Sequence, residues 1–168
     1  TEPCGRDTCA AVTLGAALVG ARSTTGVMAV LPADHIILEE EKFISTLRDS
    51  FEIASRGQVT VTIGIKPSEA HTGFGYIRVG EPLPIPAGLN ISTTFHKAEQ
   101  FVEKPNYEKA IEYLNSGKYR WNAGMFIWSF VTITEGLQKY QPEFYNICQR
   151  WFALAPKRAA LKKQLNKD

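Results

Sequence analysis

Short segments of this chain gather the residues best suited to do chemistry. Leu31-Pro32-Ala33-Asp34-His35 closes a run of apolar residues. Asp34 is a single carboxylate, too little to cage a metal. It suits Mg²⁺, which keeps waters and takes further ligands from substrate phosphates. The competing reading is a turn or cap aspartate before the next helix, and His35 reads as a hydrogen-bonded turn residue. Thr72-Gly73-Phe74-Gly75-Tyr76-Ile77 sets two glycines about an aromatic, which lets backbone approach a ligand closely. The spacing is not a dinucleotide fingerprint, and a tight turn before a strand is the plainer reading. In Phe101-Val102-Glu103-Lys104-Pro105, Glu103 can accept hydrogen bonds from sugar hydroxyls, and Lys104 can hold a phosphate as a point charge. A surface ion pair is the alternative. In the segment from Trp121 to Trp128, Asn122 brings a donor and an acceptor for paired hydroxyls, and Gly124 leaves room. At least one of the two tryptophans belongs to the core.

These segments need elements to hold them. Residues 8 to 22 are small and apolar, with Asp7 or Thr8 able to cap a helix that packs closely on a sheet. Val27 to Leu31 is a short continuous apolar run, the pattern of a strand buried on both faces in a parallel sheet. Glu39 to Arg56 carries Phe43, Leu47, Phe51 and Ala54 on one helical stripe. Val59 to Ile65 is a β-branched strand ended by Pro67. Helix, strand, helix, strand is the order of an α/β domain. Tyr76 to Val79 and Phe95 to Val102 read as strands of an antiparallel insertion. The Pro-rich stretch from Glu81 to Asn90 between them is not expected to be regular sheet. Asn106 to Asn115 is helical, with Tyr107, Ala110, Ile111 and Leu114 on one face and Gly117 after it. Met125 to Phe130 is a further buried strand. Helices follow over Thr132 to Tyr140, Glu143 to Phe152 and Lys157 to Asn166.

Composition narrows the function classes. The chain has 168 residues, 44% hydrophobic and 21% charged, ordinary for a globular domain. Its net charge of +2 comes from the end, where Lys157, Arg158, Lys162, Lys163 and Lys167 face only Asp168. The rest is slightly acidic, which argues against nucleic acid as a partner. That basic end reads as the solvated face of a helix. No apolar run is long enough to cross a bilayer, and no signal pattern opens the chain. Cys4, Cys9 and Cys148 are an odd number without metal spacing, which suits a reducing, cytoplasmic setting. His35, His71 and His96 are scattered and make no zinc pattern.

Taken together and in order, LPADH, TGFGYI, FVEKP and WNAGMF resemble the mannose-1-phosphate guanylyltransferases, also called GDP-mannose pyrophosphorylases. The opening Glu2-Pro3-Cys4-Gly5-Arg6-Asp7-Thr8 is similar to that family's EP-x-GRNTA segment. The resemblance covers essentially the whole chain and thins after Pro142. It implies a Rossmann-like, GT-A-like nucleotidyltransferase domain in three α/β/α layers, with a mostly parallel central sheet and a small antiparallel insertion. It implies that GTP and mannose 1-phosphate give GDP-mannose and pyrophosphate with Mg²⁺. By that similarity Asp34 is a metal ligand, and Lys104 contacts the sugar phosphate. Gly75, Glu103, Asn122 and Gly124 line the mannose site, and Glu2, Pro3, Arg6 and Thr8 lie near the nucleotide.

The chain also departs from the family pattern. Asp7 stands where the family has Asn, replacing an amide by a group that only accepts. The family's glycine-rich phosphate loop is expected before Thr1, and a second metal-binding aspartate after Asp168. On that count residues 1–168 are a catalytic-domain fragment, expected to have little or no transferase activity alone. A glucose-1-phosphate nucleotidyltransferase is the nearest rival, and WNAGMF favours mannose over it. A non-catalytic sugar-nucleotide-binding regulatory module is the rival from another class. A plain α/β scaffold would need all the motif matches to be accidental. A homodimer is kept as a candidate assembly.

Overall fold

The structure, a computed structural model, describes residues 7–85 and 87–167. The elements run α1 (Asp7–Gly20), β1 (Val27–Val30), α2 (Glu40–Arg56), β2 (Val61–Ile65), β3 (Tyr76–Pro82), β4 (His96–Val102), α3 (Tyr107–Ser116), β5 (Tyr119–Ser129), α4 (Phe130–Tyr140), α5 (Pro142–Leu154) and α6 (Arg158–Leu165). The sheet has the strand order β1-β5-β3-β4, and β2 also pairs with β5. Helices and strands mix as the sequence leads one to expect, but β3 pairs antiparallel with both β4 and β5, where a mostly parallel sheet is expected. The chain divides into two compact units. The first holds residues 1–30, 50–61 and 127–168, and the second residues 31–49 and 62–126.

The first unit is built on an apolar cluster of Val12, Ala16, Ala17, Met28, Leu137, Cys148, Trp151 and Leu161. Burying a side chain such as Met28 or Leu161 contributes roughly 1.5–3 kcal/mol. The small residues of α1 let it close on its neighbours, though chiefly on a helix rather than on the sheet expected from the sequence. A Cβ on Gly15 would stand 3.2 Å from Cε of Met28. Its main neighbour is a helix, α5, with further contact to α4 and β1. Thr13, fully buried in α1, donates its hydroxyl to the Cys9 carbonyl at 2.7 Å and so carries no unmet polar group. Ser129 caps α4 by accepting from the Thr132 N–H at 3.1 Å. Pro142 opens α5, where its missing N–H costs nothing. In α6 Leu161 is buried, while Arg158, Lys162 and Lys163 face solvent, as the sequence reading of that basic helix requires.

The second unit is organised by β3. It pairs antiparallel with β4, Tyr76 opposite Val102, and antiparallel with β5, Tyr76 opposite Trp121. The expected antiparallel insertion is therefore present, and antiparallel pairing continues to β5. The Pro-rich stretch enters the sheet further than expected: Glu81 and Pro82 belong to β3, with Pro82 opposite His96. Proline is tolerated there because the register shifts ahead of it, at the end of the strand. β4 is exposed at His96 through Phe101. α3 starts at an Asn106 cap, which accepts from the Lys109 N–H at 3.0 Å, and ends at Gly117. Its packed side differs from the expected stripe. Tyr107 is 63% exposed, because the face is centred instead on Ala110 and on Tyr113, whose ring stacks on Tyr119.

β5 is longer than expected. It begins at Tyr119 rather than Met125, and Phe130 is already the first residue of α4. Burial alternates along it, with Ala123, Met125, Ile127 and Ser129 inside. Asn122 and Gly124 disguise this period in the sequence, because both are weak strand formers.

Candidate functional site

The second unit brings three of the four motifs to one place and sets the fourth beside them. Gly75 lies just before β3 and is buried. Its carbonyl accepts from the Asn122 N–H at 2.8 Å, which ties the TGFGYI segment to β5. A Cβ at position 75 would stand 2.7 Å from Oε2 of Glu103 and 3.5 Å from Cβ of Asn122. Gly75, Glu103 and Asn122 are thus neighbours, and only a residue without a side chain lets the carboxylate come so near. Gly124 has φ +67, and a Cβ there would lie 3.4 Å from Cγ of Pro32. Its glycine identity has a backbone reason, a left-handed kink inside β5 beside the LPADH segment.

The polar groups of this site are oriented by short contacts. The Asn122 carboxamide oxygen accepts from the Gly124 N–H at 3.1 Å. The amide NH₂ is then the part of Asn122 suited to meet hydroxyls. Nζ of Lys104 stands 3.8 Å from Oε1 of Glu103, and both side chains are largely exposed. An ion pair so open to water is weak, so neither charge is held back from a ligand. Lys104 has φ +44, the one non-glycine positive φ among the described residues. That conformation costs on the order of 1 kcal/mol, and a following proline disfavours it further.

Asp34 lies in the loop after β1, with its side chain 88% exposed and Nε2 of His35 at 3.9 Å. α2 begins only at Glu40, so Asp34 does not cap that helix. Among the described residues no three His, Cys, Asp or Glu side chains cluster to hold a metal. A lone exposed carboxylate still fits Mg²⁺, whose other ligands come from water and phosphate. Of the residues expected near the nucleotide, Thr8 is exposed in the first turn of α1, in the other unit. Glu2, Pro3 and Arg6 lie outside the described residues, as do Cys4 and the side chain of Asp7.

Two features of the second unit have no motif to announce them. Asp49, in α2, is buried and accepts from the Ser92 N–H at 3.0 Å, the Ser92 hydroxyl at 3.1 Å and the Thr93 N–H at 2.8 Å. Burial opposes its ionisation, but the hydrogen bonds from Thr93 and Ser92 outweigh that and hold the carboxyl below its ordinary value. His71, Phe74 and Trp121 form an aromatic group beside Gly75. The rings of His71 and Phe74 stack at 4.0 Å, and Trp121 meets both edge-on. Only the closeness of His71 to Gly73 in sequence could have pointed to it.

Comparison with known proteins decides the family. A model of the nucleotidyl transferase family matches residues 1–166. The chain belongs to the nucleotidyl transferase family. Similar proteins include mannose-1-phosphate guanylyltransferase 2 of Escherichia coli O157:H7, 40% identical over 89% of this chain and 31% of that protein. The mannose-1-phosphate guanylyltransferase of Salmonella montevideo is 44% identical over 88% of this chain and 30% of that protein. Among solved structures, mannose-1-phosphate geranyltransferase from Thermus thermophilus superposes with a TM-score of 0.79. It is 32% identical, over 99% of this chain and 45% of that one. This nucleotidyl transferase chain thus spans about a third of the length of the curated relatives it matches. No helix among its described residues is long and apolar enough to cross a membrane.

Proposed function

We propose that this nucleotidyl transferase makes GDP-mannose and pyrophosphate from GTP and mannose 1-phosphate, and that its second unit holds the sugar. The observation that carries the reading is the meeting of Gly75, Glu103 and Asn122, with Lys104 next in the chain. The names of the relatives at 40% and 44% identity support the sugar and the nucleotide.

The roles follow from the side chains. Glu103 accepts hydrogen bonds from mannose hydroxyls, and the Asn122 NH₂ donates to one. Gly75 and Gly124 keep the backbone clear of the ring. Lys104 binds the sugar phosphate. An oxygen of that phosphate attacks the α-phosphorus of GTP in line, and the bond from that phosphorus to the departing pyrophosphate breaks. Positioning and charge neutralisation are the whole of the catalysis, and no covalent enzyme intermediate is needed. Asp34 is the residue that would hold Mg²⁺, which when bound supplies neutralising charge on the transferred phosphates. Thr8, with Glu2, Pro3 and Arg6, is assigned to the nucleotide. The buried thiol of Cys148 and the odd cysteine count suit a cytoplasmic enzyme.

Calorimetric titration of mannose 1-phosphate in the presence of Mg²⁺ tests this reading. Glu103→Ala and Asn122→Ala should each weaken binding about tenfold, the cost of one or two hydrogen bonds to a fixed partner. Glucose 1-phosphate should bind more weakly than mannose 1-phosphate. Equal or tighter binding of glucose 1-phosphate would give the site to the other sugar.

A further inference from the structure

We propose that His71 is a positioning residue for the sugar site, holding the turn from Gly73 to Gly75 in the shape that seats Gly75 between Glu103 and Asn122. The inference rests on the reading of those three residues as the sugar site. His71 itself belongs to none of the motifs.

The turn is fastened at both ends. At its start, Nδ1 of His71 accepts from the Gly73 N–H at 3.0 Å. The ring lies nearly parallel to Phe74, 4.0 Å away at 16°, and Trp121 closes on the pair from the side. A Cβ on Gly73 would come within 2.8 Å of Cε1 of His71, so this glycine is what the ring can sit against. At its end, Tyr76 is locked between Val102 and Trp121 in the sheet, and its hydroxyl donates back to the His71 carbonyl at 2.9 Å. Residues 71 and 76 are therefore bonded to each other, and the short loop between them has little freedom. Its last residue is Gly75, whose carbonyl receives the Asn122 N–H. An acceptor at Nδ1 means that the ring proton resides on Nε2. The feature that counts is a lone pair aimed at the N–H two residues on, backed by a flat ring.

This chemistry can be taken apart by substitution. Asparagine offers a carbonyl oxygen to the N–H two residues on, in an Asx turn. Phenylalanine keeps the ring without the acceptor, and alanine keeps neither. Two readouts apply to His71→Asn, His71→Phe and His71→Ala: hydrogen exchange of the Asn122 amide and calorimetric affinity for mannose 1-phosphate. His71→Asn should stay within about twofold of the parent in both. His71→Phe and His71→Ala should each lose about fivefold, the worth of one hydrogen bond. A parent-like His71→Phe, a His71→Asn as poor as His71→Ala, or an Asn122 amide indifferent to all three would overturn the proposal. If the parent chain fails to bind mannose 1-phosphate, the sugar reading falls. The amide of Asn122 then decides the positioning role by itself, since that measurement needs no ligand.

Discussion

The two units use the same small residue to opposite ends. In the first unit, a Cβ on Gly20 would enter the ring of Phe130, itself packed on Phe152 and against the apolar cluster. In the second, a Cβ on Gly75 would meet the carboxylate tip of Glu103. One glycine lets a helix close on hydrophobic surface. The other lets backbone come against a charge that faces outward. A missing side chain in a core improves packing, whereas beside a carboxylate it leaves the charged group room against the backbone. What the neighbour is made of, rather than the closeness, separates the two uses.

That contrast can be tested by substitution, beginning with the largest effect. Gly20→Ala forces an aromatic ring aside in a packed core and should cost about 1–3 kcal/mol. Urea unfolding measures it, and a neutral result would remove the distinction between the units. Gly75→Ala should change stability by under about 1 kcal/mol, because a side-chain tip can swing away. It should nevertheless weaken mannose 1-phosphate binding about tenfold, or roughly 1.4 kcal/mol. If its unfolding midpoint fell as far as that of Gly20→Ala, both glycines would be packing residues.

Asp49 sharpens the comparison through pH. Its pKa is lower in the folded chain than the ordinary 3.8. It therefore adds stability above that value, which is lost as pH falls toward the folded pKa. Asp49→Asn should remove that part of the acid dependence, so parent and variant unfolding curves converge at low pH and separate at neutral pH. In the first unit Cys148 is the reverse case: burial pushes its thiol up to about 11, so it stays protonated at neutral pH. The smallest effect is expected at Lys104. Replacing it by glycine relieves about 1 kcal/mol of backbone strain but adds a similar entropic cost, so stability should move by less than about 0.5 kcal/mol. Affinity for mannose 1-phosphate should still fall, which calorimetry would show.

Much of this was legible in the residues. The helix stripe through Phe43, Leu47, Phe51 and Ala54 and the apolar run after Gly26 follow local rules, and α2 and β1 formed where those rules put them. The site residues Gly75, Glu103 and Asn122 could be named because they sit in short motifs. Their meeting could not be derived from periodicity, since it depends on which strands pair. The start of β5 was hidden because Asn122 and Gly124 are weak strand formers, and Gly124 takes a positive φ inside the strand. Tyr107 misled because a helical stripe fixes a face but not how far the partner surface extends. Asp49 was invisible, and His71 was marked only by its closeness to Gly73, for another reason: both accept from backbone groups, and a donor N–H leaves no mark on the identity of its residue.

Tyr76 has a consequence for how the protein reaches its native state. Its backbone is paired on both sides, to strands that lie far from it along the chain and on either side of α3. Local helices can form early, but these pairings must wait for distant segments to find each other, and such contacts are the slow ones. The cluster of Gly75, Glu103 and Asn122, proposed above to hold the sugar, would then be among the last parts of the molecule to mature. A chain interrupted during folding could hold most of its helices and still lack the meeting of β3, β4 and β5 that gathers these residues.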